Sequence, residues 1–187
     1  DTWGAAASHA GDVGFDLLFK RDFPTVCGLL GPLKGDSEAF IRSFWRKNRP
    51  NGRDFTAMMI LAMAASYDPD PESPGTIRLP FDLRTCAVDE ALWANWLAYD
   101  PLTLVEHHAD ALRALRGLWI DVGWYDQYNI QYGARAFVQR LEKLGIEHHY
   151  EEFDGTHSGM DWRLDTSLPM LAQTLYQACG IAIPRTG

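Results

Sequence analysis

At 187 residues, with 47% hydrophobic and 22% charged positions, the chain has the composition of an ordinary globular protein able to bury a core. Its formal charge of −8 is dispersed rather than gathered in a run, which argues against nucleic acid as a partner, and no apolar stretch is long enough to make a membrane one. Cys27, Cys86 and Cys179 are far apart, odd in number and outside any CxxC spacing, which argues against a disulfide framework or a zinc site and favours a reducing, cytoplasmic compartment.

Residues 4–8 are small and apolar and predict a strand, with turn chemistry following from Ser8 to Asp12. Ala6-Ala7-Ser8-His9-Ala10 also admits a reading as a degenerate nucleophile elbow, because small residues two before and two after the serine suit a sharp strand-to-helix turn. Gly11 and Gly14 weaken the helix that would have to follow at once, so a strand end with a loop is the favoured reading.

Residues 16–23 are mixed, and Pro24 with the 28–32 segment predicts a break. Asp36 or Ser37 offers a cap for a helix over 38–47 with Phe40, Ile41, Phe44 and Trp45 as its apolar stripe. Asp54 offers a cap for 55–67, where Met58, Met59, Ile60, Leu61 and Met63 predict a buried helix, in core packing before an acyl pocket. Residues 68–75 carry three prolines and read as a loop, and Pro80 limits any strand over 76–85 to a short or edge one. A helix follows over 89–99, and Asp100-Pro101 opens another over 102–115.

The most informative stretch comes next. Residues 117–122 form an apolar run interrupted by Asp121, whose charge would need a partner there. Then come Gly123-Trp-Tyr-Asp126, a helical pattern over 132–144, and a second short strand over 148–153 leading to Asp154-Gly155-Thr156-His157. Two successive parallel strands would thus present an acid and a histidine at the same, carboxyl end of a sheet, where functional groups collect in doubly wound folds. Asp126 is the candidate acid, with Asp121 in reserve, and the bland alternative for Asp126 is a helix cap. His157 sits in a glycine-flanked loop suited to a general base.

The order of Asp126 and His157 resembles the last third of an α/β-hydrolase, in which the triad runs Ser, acid, His. The resemblance is to the putative-esterase branch that contains esterase D and feruloyl-esterase-like enzymes. It covers residues 115–175, and more weakly 1–19. Gly123 and Asp126 match its acid loop, Gly155 and His157 match its histidine loop, and Trp162 is similar to an aromatic that packs that loop. The resemblance implies the C-terminal half of a doubly wound α/β-hydrolase sheet, with residues 1–22 and 100–187 as a partial core and 23–99 as a helical lid insertion. It implies a carboxylic ester hydrolase working through a Ser-Asp-His triad, with a small-molecule ester as substrate and no cofactor or metal.

No Gly-x-Ser-x-Gly occurs in the chain, so the serine and much of the oxyanion hole are expected outside it. The absence of an initiator Met suits a fragment or processed piece, with a missing N-terminal half or a homo-oligomeric partner completing the sheet. The alternative is a non-catalytic binding module on a hydrolase scaffold. A change of nucleophile to Asp or Cys stays open. His107-His108 and His148-His149 are each adjacent in sequence and diverge on a helix or a strand, so neither pair alone can chelate one metal.

Overall fold

The computed structural model describes residues 3–73 and 76–180, and it divides into two compact units, Asp1–Leu18 with Asp100–Gly187, and Phe19–Tyr99. The boundary at Phe19 falls a few residues before the start expected for the helical insertion.

The first unit is built on a three-stranded sheet in the order β1 (Ala5–His9), β2 (Gly117–Gly123), β3 (His149–Phe153), parallel throughout. A parallel sheet in a largely helical chain makes the class mixed α/β. Parallel neighbours need crossovers, and α8 (Ile130–Lys143) supplies the one between β2 and β3. Period-two alternation splits β2 between two environments. Leu118 and Ile120 pack with Val105, Ala109, Val138, Leu141 and Ile146 in one core cluster. The opposite residues, Gly117, Trp119 and Asp121, meet groups of the C-terminal helix α9 (Leu164–Ala178) and the turn before it.

Two glycines are required by close approach. A Cβ on Gly133 of α8 would collide with the carbonyl of Val13, and one on Gly123 would lie 2.5 Å from the Gly155 carbonyl oxygen. At Gly123 the end of β2 therefore touches the loop that carries His157.

The expected single helix over 102–115 is two short ones, α6 (Pro101–His107) and α7 (Ala109–Arg113), broken at His108. Asp100 caps the first through Leu102 N–H at 3.0 Å, and it also accepts from the backbone N–H groups of Gly14 and Phe15 at 3.0 and 2.8 Å. One buried carboxylate thus fixes α6 and the start of α1 (Phe15–Leu18) together.

The second unit is helical: α2 (Phe23–Leu30), α3 (Ser37–Arg46), α4 (Gly52–Tyr67) and α5 (Glu90–Leu97). Pro24 does not break α2 but sits in its first turn, where a missing N–H costs nothing. Asp36 caps α3 as expected through Ala39 N–H. In α4 the cap is Asn51 rather than Asp54: Asp54 is the third helical residue of a capping box, so the helix starts earlier than the apolar pattern indicates. Phe19, Phe23, Phe81, Trp93 and Trp96 form the aromatic core of this unit, with Phe23 stacked on Phe81 at 4.2 Å. The methionines of α4 are only partly buried, and Ala57, Ile60, Leu61 and Ala64 make its inward face. Over 76–85 there is no strand among the described residues, only an isolated bridge between Phe81 and Val88.

Candidate active site

Asp126 and His157 come together. The Asp126 side chain is fully buried and its Oδ2 lies 3.0 Å from Nδ1 of His157, whose ring is 35% exposed. A carboxylate only accepts hydrogen bonds, so this contact places the ring proton on Nδ1 and leaves Nε2 as the basic lone pair. The other oxygen of Asp126 accepts from Tyr128 N–H at 2.8 Å in an Asx turn, so Asp126 shapes its own loop and does not cap α8, whose N-cap is Asn129. Tyr128 also meets the His157 ring edge-on, 5.0 Å between centroids.

The two loops are joined along their length. Trp124 N–H and Tyr125 N–H donate to the carbonyls of Phe153 and Gly155, each at 2.9 Å. Farther out, Gln127 accepts from His157 N–H through Oε1 at 3.1 Å and donates from Nε2 to Ser158 Oγ at 3.4 Å. At the far end of the loop stands Arg163. It is 3% exposed, with Nε on Asp121 Oδ2 at 2.8 Å and its two terminal nitrogens on the Glu151 carboxylate. Burial works against its charge, but the Glu151 and Asp121 hydrogen bonds outweigh that and hold the guanidinium above its ordinary value.

Asp121, the reserve acid, belongs to this second network and not to His157. Its Oδ1 lies 2.8 Å from Nδ1 of His9, and Oδ2 also accepts from Trp119 Nε1 at 2.7 Å. Nε2 of His9 is 3.0 Å from Ser167 Oγ, so Asp121, His9 and Ser167 reproduce the connectivity of a catalytic triad. Ser167 has no solvent exposure and Asp121 is neutralised by Arg163, which makes this a closed structural tie between β1, β2 and α9.

Ser8 lies within β1, and the residues after it form a loop to Phe15, with no helix following at once. An elbow needs that immediate helix, so the degenerate-elbow reading fails on geometry. The strained residue at the end of β1 is Ala10, at φ +48°, held there by a hydrogen bond from its N–H to the Asp121 carbonyl at 2.8 Å. Asp12 follows. Its carboxyl is held above the ordinary range, chiefly by removal from water; the charge of Asp126 adds to this and His157 opposes it. Asp12 also lines an apolar cleft of about 180 Å³, with Val13, Ile120, Ile130 and Phe137.

Trp162 is half-exposed and packs edge-on against Phe153, centroids 5.4 Å apart, with Arg163 over its ring. Neither histidine pair belongs to a cluster able to hold a metal among the described residues. No hydroxyl of a described serine bonds His157 through its ring. Sequence reasoning missed Gln127, Arg163 and Asp12. Only Arg163 had a signal, since a carboxylate inside the apolar run of β2 demands a buried cation somewhere in the chain. No family model matches the chain, and no curated protein matches it either.

Proposed function

We propose that this chain supplies the acid and the base of a carboxylic ester hydrolase of the α/β-hydrolase kind, its three strands being the C-terminal portion of a doubly wound sheet. The observation that carries this reading is the pairing of a buried carboxylate, Asp126, with Nδ1 of a partly exposed histidine on the neighbouring loop. Such a pair fixes the tautomer and leaves Nε2 to take a proton from a nucleophile and return it to the leaving alcohol. In the proposed reaction a serine from outside these residues attacks the ester carbonyl as its proton passes to Nε2. The acyl-serine then forms as the alcohol leaves with that proton, and water attacks by the same route in reverse. Asp126 stabilises the imidazolium through both halves. The substrate is a small-molecule ester, and the chemistry asks for neither cofactor nor metal.

One observation favours the rival reading, a binding module on the same scaffold: no hydroxyl of a described serine hydrogen-bonds the His157 ring. The test is turnover of p-nitrophenyl butyrate by the gene product expressed with any residues encoded ahead of Asp1. His157→Ala is expected to lower kcat/KM by about three orders of magnitude and Asp126→Asn by more than tenfold, with thermal stability of the His157 variant nearly unchanged. Undiminished turnover in His157→Ala would overturn the assignment. An absence of both turnover and any fluorophosphonate adduct would establish the binding module, and an adduct on Ser8 would refute the placement of the nucleophile outside the chain.

A further inference from the structure

Cys27 and Cys86 are remote in sequence and adjacent in the fold of the Phe19–Tyr99 unit. Cys27 lies in α2. Cys86 lies in a turn after Phe81, closed by Asp82 N–H on the Ala87 carbonyl at 2.9 Å and by the Phe81–Val88 bridge. Both cysteines converge on one atom. The Asp82 carbonyl oxygen accepts from Cys86 N–H at 2.8 Å and from the Cys27 thiol at 3.7 Å. The two cysteines thus meet at one carbonyl, and both are half-buried and free.

The support on each side is rigid. Asp82 Oδ1 accepts from Arg84 N–H, Thr85 N–H and Thr85 Oγ at 3.0, 2.7 and 2.7 Å, and Phe23, one turn before Cys27, stacks on Phe81. Within this over-determined turn Cys86 stands at φ +57°, a region that favours glycine or asparagine. A non-glycine residue held there costs free energy, and such costs persist where a side chain must be aimed.

We propose that Cys27 and Cys86 form a redox-active pair, a modification site that closes into a disulfide by exchange with a glutathione-type disulfide. Burial, with the neighbouring Cys86 thiol adding to it, pushes Cys27 up to about 12, so Cys27 is protonated at neutral pH and is not the sulfur that reacts first. The Cys86 thiolate attacks one sulfur of oxidised glutathione and expels one glutathione thiolate. Cys27 then loses its proton to solvent base, attacks Sγ of Cys86 in the mixed disulfide and expels the second glutathione. Two protein thiols are oxidised, one glutathione disulfide is reduced to two thiols, and no other oxidant is needed. The bond would tie α2 to the turn across a loop of about sixty residues. This site is independent of the ester-hydrolase reading, and Cys179, exposed at the end of α9, serves as an internal control.

The test is equilibration of the reduced 187-residue chain, without air, in buffers of rising oxidised-to-reduced glutathione ratio, followed by acid quench, maleimide labelling and peptide mass spectrometry. Cys27 and Cys86 are expected to lose label together at one midpoint, appearing as a joined peptide pair lighter by two hydrogens. Cys27→Ser is expected to trap glutathione on Cys86. Phenylarsine oxide, a reagent for paired thiols, is expected to protect both from maleimide in the native reduced chain and to leave Cys179 reactive. Three results would overturn the proposal: both thiols labelled at the most oxidising ratio, stable glutathione on Cys86 in the unsubstituted chain, or pairing of either thiol with Cys179.

Discussion

At the residue scale, the geometry of the Asp126–His157 pair depends on a side chain that touches neither reacting atom. Gln127 holds the backbone of His157 from one amide end and Ser158 from the other, so it sets how far the histidine loop can lift from the acid loop. Gln127→Ala removes both bonds at an exposed position, where substitutions ordinarily shift stability by no more than about 0.5 kcal/mol. The expected outcome is a thermal midpoint close to that of the parent together with changed ring chemical shifts of His157 by NMR at fixed pH, while those of His9, held in its own network, stay as before. Unaltered His157 ring shifts would remove Gln127 from any positioning role. Asp126 and His157 could be read from sequence because an acid and a histidine after successive apolar runs make a recurrent pattern. Gln127 could not, since an exposed amide has no signature until its partners are known.

At the element scale, β3 and α9 are joined through a single buried cation. Arg163 binds Asp121 of β2 and Glu151 of β3 and lies under the rings of Trp119, Phe153 and Trp162. Removing one partner of a buried pair leaves the other uncompensated, which costs about 3–5 kcal/mol. Arg163→Met is therefore expected to lower the denaturation midpoint strongly, and Arg163→Lys less, because a lysine keeps the charge without the fork that grips two carboxylates. Adding Asp121→Asn to Arg163→Met is expected to recover part of the loss. No recovery in the double variant would show that lost packing on the three rings, and not the orphaned charge, dominates. The position of β2 was legible because it is an apolar run interrupted only at Asp121, and that of α3 because Asp36 offers its cap. The break at His108 and the early start of α4 at Asn51 were not. Each depends on local hydrogen bonds that the apolar period does not encode.

At the scale of the whole molecule, each unit carries a buried or half-buried carboxylate whose ionised form is favoured by a cation. The Lys47 hydrogen bond, the backbone N–H of Asn51 and the Lys47 charge hold Asp54 below its ordinary 3.8, and the Arg135 fork holds Glu152 below its ordinary 4.5. A depressed carboxyl stabilises the folded state fully above the unfolded value, and that contribution is lost as pH falls through the folded value. Thermal midpoints are therefore expected to hold down to about pH 5 and to decline below it. The decline should be shallower in a variant carrying both Lys47→Met and Arg135→Gln, whose neutral-pH stability is lower to begin with. An identical acid limb in that variant would place the sensitivity elsewhere. The α/β class was visible in the order of strands and helices. The split into two units was visible only as a change from strand to helix patterning, and its boundary falls earlier, at Phe19, whose ring packs on Tyr67 and Trp96 of the second unit.

The close approach at Gly123 has an evolutionary side. Because the end of β2 has no room for a β-carbon against the Gly155 carbonyl, the acid loop and the histidine loop fit only the backbone spacing they share. Arg163 then locks the far margin of the same block onto β2 and β3. Residues 117 to 163 should thus behave as one inheritance unit: chimeras with crossovers inside that block are expected to be lost from a shuffled library, whereas exchanges made outside it survive.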